Sequence, residues 1–308
     1  MLAIFIAAAA AAVAAAPITA PGPQGPLAGT FEDAGKNAPV VLIIPGSGPT
    51  DRDGNNPLGV SAAPYRMLAD ALAAKGVSTV RIDKRGLGGS KGAVADPNKV
   101  TIGDYATDTH NWVAAIRKQT GRRCVWVLGH SEGALIALAA AQQPAGICGV
   151  ISVSGAGRKL SDVIREQLRS NPANAPVLDA AMAALTSLEA GQHVDVANMH
   201  PALQRLFAPQ VQDFLIDMFR QDPAKLAASL KVPLLVVQGE HDLQVSVADA
   251  KALAAAQPKA RLVLVPTMNH VLKDVATDDR AANLATYGDP SLPVDARAVE
   301  AIAEFVKR

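Results

Sequence analysis

The residues best placed to do chemistry lie in the run Val125-Trp126-Val127-Leu128-Gly129-His130-Ser131-Glu132-Gly133-Ala134-Leu135-Ile136. An apolar stretch of strand length meets a serine with a glycine two positions away on either side, then passes directly into an alanine-rich helical segment. Those glycines let the backbone turn sharply enough to project the Ser131 hydroxyl above a sheet, where a substrate carbonyl and a base can both reach it. A serine held that way is a nucleophile for acyl transfer. The sequence has a second Gly-x-Ser-x-Gly match, Gly88-Gly89-Ser90-Lys91-Gly92. It lies in a polar loop without the strand-turn-helix setting that the chemistry requires, so context selects Ser131.

A serine hydroxyl needs a base to take its proton, and the base needs an acid to fix its tautomer and stabilise its charged form. His270, in Pro266-Thr267-Met268-Asn269-His270, follows the last predicted strand; Asp242, in Gln238-Gly239-Glu240-His241-Asp242, follows the strand before it. The order Ser131, Asp242, His270 is the serine, acid, histidine order of one particular fold. The remaining histidines fit the base less well: His110 falls within a helix, His193 and His200 in an inserted segment, His130 beside the nucleophile but facing away, and His241 beside the acid. Glu240 is the rival to Asp242. For the oxyanion, the Glu132 N–H at the start of the following helix supplies one donor, and the Ser47 N–H in Ile44-Pro45-Gly46-Ser47-Gly48-Pro49 the second.

Positioning these groups requires a layered α/β chain, and the hydrophobic pattern provides one. Strands are predicted at Val40–Ile44, Val77–Ile82, Val125–Leu128, Val150–Ser154, Leu234–Gln238 and Arg261–Val265, with a short extra edge strand near Leu27–Phe31. Helical segments near Ala62–Lys75, Asp104–Gln119, Glu132–Gln142, Val247–Ala256 and Asp295–Lys307 alternate with them. That alternation implies a mostly parallel sheet with helices on both faces. The rhythm breaks between Gly155 and Lys231, where helical pieces carrying Leu185, Leu188, Leu203, Phe207, Phe214 and Phe219 read as a helical cap inserted between two strands, over the C-terminal end of the sheet where ligands bind. Some cap residues are expected to face the pocket.

These segments together resemble the α/β-hydrolase superfamily, in the serine aminopeptidase-like group of bacterial serine esterases. The resemblance is carried by Pro45-Gly46-Ser47-Gly48-Pro49-Thr50-Asp51-Arg52-Asp53-Gly54, Asp83-Lys84-Arg85-Gly86-Leu87-Gly88-Gly89-Ser90, Gly129-His130-Ser131-Glu132-Gly133 and the Asp242 and His270 segments. It implies an α/β-hydrolase fold with an eight-stranded sheet, a helical cap between the sixth and seventh strands, and hydrolysis of carboxylic esters through an acyl-enzyme. The chain before Val40 is short for the usual leading strand pair plus a leader, so the first strand is expected to be missing or residual. In such relatives Asp83 to Ser90 is a turn; Asp51-Arg52-Asp53 either binds a charged substrate group, with Glu132, Asp51 and Asp53 the candidates for an ammonium, or, as is commoner for such clusters, forms an ion-pair and turn network bracing the oxyanion loop.

The 29 basic and 28 acidic residues leave a net charge of +1. With no dense Lys/Arg run, nucleic-acid binding is unsupported. No metal-ligand pattern or nucleotide fingerprint is present, so no cofactor is implied. Residues 1–16 read as an apolar leader too short to span a membrane, with cleavage near Ala15/Ala16 and export to the periplasm or beyond; 17–26 read as a Pro/Gly-rich linker, 27–155 and 231–308 as the core, and 156–230 as the cap. Cys124 and Cys148 each precede a predicted strand and either bridge or stay as buried thiols. The function expected is a serine carboxylesterase acting on short to medium acyl esters of small molecules. A peptidase, thioesterase or lactonase is the alternative on the same triad, and a non-catalytic binding protein a lesser one.

Overall fold

A computed structural model describes residues 14–277 and 279–308. Most of the leader assigned to residues 1–16 thus lies outside the described residues. One eight-stranded sheet carries the fold, in the order β1-β2-β4-β3-β5-β6-β7-β8. The strands are β1 (Ala15–Ala20), β2 (Leu27–Glu32), β3 (Val40–Ile44), β4 (Ser78–Ile82), β5 (Val125–His130), β6 (Ile147–Val153), β7 (Leu234–Gly239) and β8 (Arg261–Val265). β1 and β2 run antiparallel to their neighbours, while β3 to β8 pair in parallel.

Three expectations at the start of the chain are corrected. The first strand is neither missing nor residual, and residues 17–20 of the segment read as a linker belong to strand β1, in which Ile18 and Ala20 are buried against the core. A strand containing Pro17 escapes a local reading because proline cannot donate to a ladder; an edge position, with β2 as its one neighbour, tolerates it. The predicted edge strand near Leu27–Phe31 is likewise an inner strand, between β1 and β4.

Eleven α-helices are found among the described residues: α1 (Pro64–Ala74), α2 (Ile102–Thr120), α3 (Glu132–Ala140), α4 (Leu160–Ser170), α5 (Leu178–Glu189), α6 (Pro201–Leu206), α7 (Gln212–Phe219), α8 (Pro223–Ala228), α9 (Val247–Ala256), α10 (Arg280–Ala285) and α11 (Ala296–Val306). Strand alternation sorts the core onto two faces. Val41 and Ile43 pack with Leu68 and Leu72 of α1 and with Ile302 and Phe305 of α11. Leu42 and Ile44 join the opposite cluster, with Trp112 of α2 and Ile136 of α3. Helix α2 begins at a reciprocal cap between Thr101 and Asp104 and stops at Gly121 in the left-handed region.

Helices α4 to α8 form the insertion between β6 and β7, and Leu185, Leu188, Phe207 and Phe219 bury it into the cluster that holds Trp112. The Asp217 carboxylate on α7 accepts from the Ile102 N–H at 2.7 Å, tying the insertion to the start of α2. No helix among the described residues is long and apolar enough to cross a membrane.

Candidate active site

Ser131 sits between β5 and α3 with φ 54° and ψ −121°, a conformation costly for a residue with a side chain. Close packing enforces the turn. A Cβ on Gly129 would lie 1.9 Å from the Gly133 carbonyl oxygen, and one on Gly133 would lie 2.4 Å from that of Ile44. Only glycines let strand, turn and helix approach this closely, which leaves Ser131 partly exposed at the C-terminal edge of the sheet.

His270 is buried, and its Nδ1 donates to the Asp242 carboxylate at 2.9 and 3.1 Å, leaving Nε2 as the atom able to accept a proton. The Asp242 side chain is fully buried. It also accepts from the Gln244 N–H at 2.8 Å, the Val245 N–H at 3.0 Å and the Gln238 amide at 3.2 Å. Burial pushes its pKa up; the charge and hydrogen bond of His270, with the two backbone N–H groups, outweigh this and hold the carboxyl below its ordinary value. Asp242 therefore stays ionised, as an acid that orients a histidine must. Asn269 fixes the loop: its amide reaches Thr286 Oγ1 at 2.7 Å and its Oδ1 takes the Lys273 N–H.

Ser131 and His270 line one cleft of about 120 Å³, together with Gly46, Ser47, Thr50, Asn56, Tyr65, His130, Gln244 and Tyr287. Ser47 lines this cleft, and Glu132 follows the nucleophile as the first residue of α3. Gly46 C=O accepts from Lys84 Nζ at 2.8 Å, and in the same trans peptide the Ser47 N–H is turned the opposite way, off that lysine. Lys84 also pairs with the Glu132 carboxylate at 3.0 Å, both groups buried. One cation thereby ties the two segments proposed to carry the oxyanion donors.

The helical insertion supplies none of the residues lining this cleft, contrary to the expectation that cap residues face the pocket. Its walls come from the excursion between β3 and α1 and from the segment around Tyr287. Those two are clasped by the Ser61 N–H on the Tyr287 carbonyl at 2.8 Å and by Ser61 Oγ on that of Gly288 at 3.1 Å. The insertion packs instead on helices flanking the sheet, where its apolar residues are buried.

The turn residues have structural work. Asp83 holds the Arg52 side chain and main chain and the Gly89 N–H. Arg85 pairs with Asp104 and Asp108, and Ser90, the decoy serine, is buried between the Ala28 N–H and the Asp83 carbonyl. Arg81 bridges Glu32 and Asp53, while Asp51 takes the Asp53 and Asn55 N–H groups. The competing histidines are engaged elsewhere: His193 with Asp213, His200 as the cap of α6, His241 on the Val275 carbonyl. Glu240 does not line the cleft. Tyr65, Gln244 and Tyr287 were not singled out from sequence, because no local motif marks them; Lys84 stood in the Asp83 to Ser90 motif, which was read only as a turn.

Among curated proteins the chain is similar to the esterase EstD of Thermotoga maritima, with 24% identity over 249 residues that cover 76% of this chain and 54% of that one. The chain thus spans about half the length of this relative. Among solved structures it is similar to the Pyrococcus furiosus esterase Pf2001 (TM-score 0.59, 16% identity, 96% of this chain and 91% of that one). It is also similar to a proline iminopeptidase of Mycobacterium smegmatis (TM-score 0.60, 16% identity, 95% and 98%). At such identities the structural likeness speaks for the fold, an α/β-hydrolase sheet with its insertion. Residues 58–274, more than half of the sequence and including Ser131, Asp242 and His270, match the family described as serine aminopeptidase, S33. By that match, and by the strand order and elbow geometry above, the chain belongs to the serine aminopeptidase S33 family of α/β-hydrolase-fold proteins.

Proposed function

We propose that the protein is a serine carboxylesterase that hydrolyses short acyl esters through an acyl-enzyme. The observation carrying this reading is a strained, partly exposed serine that shares a cleft with a histidine whose far nitrogen is held by a buried, ionised aspartate. In the mechanism, Ser131 Oγ attacks the ester carbonyl while His270 Nε2 takes its proton. The Ser47 and Glu132 N–H groups stabilise the oxyanion; neither has a hydrogen-bond partner among the described residues. His270 then protonates the leaving alkoxide, and a water attacks the acyl-enzyme by the same steps in reverse.

Size and charge support the substrate class. A cleft of about 120 Å³ is small for a ligand site, which suits a short acyl group. An aminopeptidase needs a free carboxylate for the substrate ammonium, and the candidates are engaged: Glu132 by Lys84, Asp53 by Arg81, Asp51 by its own turn. That favours neutral esters over amino-terminal peptides. With p-nitrophenyl acyl esters, kcat/KM is expected to be highest from acetate to butyrate and at least ~10-fold lower for decanoate, since the longer chain outgrows the cleft. Ser131→Ala is expected to lower kcat by ~10⁴-fold or more; a variant as active as the parent would sink the proposal.

We also infer export across the inner membrane, to the periplasm or medium. The apolar composition of residues 1–16 supports it, as does the Cys124–Cys148 disulfide, a bond that persists in oxidising compartments. N-terminal sequencing of protein recovered from a periplasmic extract is expected to begin near Ala16, at the start of β1. Recovery in the cytosol with an intact leader would refute it.

A further inference from the structure

Two buried side chains that no catalytic role has used connect the halves of the site. His130 Nε2 lies 2.8 Å from the His270 carbonyl oxygen, and His130 Nδ1 lies 2.8 Å from Tyr65 Oη, which in turn takes the Gly46 N–H at 3.0 Å. The ends fix the direction of every link. A carbonyl only accepts, so His130 Nε2 carries a proton; burial and the nearby charge of His270 push the His130 pKa down to about 3, so Nδ1 is bare. Tyr65 must then donate to Nδ1, and its oxygen accepts from Gly46. The result is one directed chain, Gly46 N–H to Tyr65 O–H to His130 N–H to His270 C=O.

Each end of the chain sits on a working part. Gly46 precedes Ser47 and lies so near the nucleophile that a Cβ on it would be 3.2 Å from that of Ser131. The other end holds the main chain of the base itself, and the His130 and His270 rings pack with centroids 4.7 Å apart. We propose that Tyr65 and His130 are positioning residues that lock the oxyanion loop and the catalytic imidazole into one rigid unit, so that donor and base hold a fixed separation across the substrate carbonyl. This rests on the serine-hydrolase reading above. The gain lies in orientation, where a misplacement of about 1 Å costs about 100-fold in rate.

A mutant cycle on p-nitrophenyl acetate tests it, with Ser131→Ala as reference. Tyr65→Phe and His130→Phe are each expected to lower kcat by about 10- to 100-fold with KM within about twofold. The double variant should fall no further than the worse single, because one break already severs the chain. His130→Gln, whose amide can still donate towards the His270 carbonyl, should recover part of the loss relative to His130→Phe. Should His130→Phe not fold, His130→Leu, which also removes both ring nitrogens, takes its place in the same cycle. Folded variants with unchanged kcat, losses confined to KM, or losses that multiply in the double variant would overturn the proposal. If Ser131→Ala itself retains activity, the esterase reading has failed instead.

Discussion

Lys84 places its charge between the Gly46 carbonyl and the Glu132 carboxylate, with both ionic side chains at most 4% exposed. Such a pair adds little net stability, because desolvation offsets the attraction, yet removing one partner strands the other. Lys84→Met is therefore expected to destabilise the fold by about 3–5 kcal/mol, through an unpaired Glu132. Lys84→Met combined with Glu132→Gln should recover most of that loss. Urea unfolding of the three proteins measures both, and equal stability of the single and double variants would show that the stranded carboxylate is not the cause. At the same scale His130, expected from sequence to face away, lines the cleft instead and links segments 140 positions apart.

Among the elements, the loop after β8 does most to define the site, since it carries His270 and is held by groups beyond it. Lys273 is buried there, with its ammonium on the Leu292 carbonyl and the Met67 sulfur. Burial lowers its pKa from 10.5 to about 8, an effect that nearby Asp289 only partly opposes. The folded state thus sheds this proton before the unfolded state does. Between about pH 8 and 10.5 the unfolded chain binds more protons, so this residue makes stability rise with pH across that window and lowers it below. The urea midpoint of the parent, relative to that of Lys273→Met, is expected to increase from pH 7 to pH 9.5. A constant difference would refute the assignment. The strand-turn-helix at Ser131 and the Asp83-Lys84-Arg85 turn behave oppositely: their shape is set within a few residues, and their partners come from elsewhere.

For the whole molecule, the disulfide links the chain just before β5 to the second residue of β6, at the end of the sheet away from Ser131. With a sequence separation of 24, closing that loop stabilises the fold by about 3 kcal/mol in the chain-entropy model. Replacing both cysteines by serine should lower stability by about that amount while leaving kcat/KM within about twofold, since no part of the active cleft touches the bond. A large loss of activity in a folded double variant would contradict this separation of stability from chemistry.

The sequence by itself determined whatever depends on neighbours along the chain. Periodicity placed β3 and β8 to the residue and the other parallel strands to within a few. The glycines around residue 131 marked the elbow, and the order of Ser131, Asp242 and His270 named groups that the fold gathers at one end of the sheet. Tertiary structure decided the rest. Strand β1 is held by pairing with β2, which a proline-containing segment does not advertise. The cleft walls come from two segments clasped together by Ser61 and Gly288, 227 positions apart, rather than from the inserted helices. An ion-pair network at Asp51-Arg52-Asp53 was expected from the start, but its partners Arg81 and Asp83, and the pairing of Glu132 with Lys84, were not. Local backbone preference is written in adjacent residues, whereas a buried charge, a clasp or a hydrogen-bond chain exists only once distant segments have closed on one another.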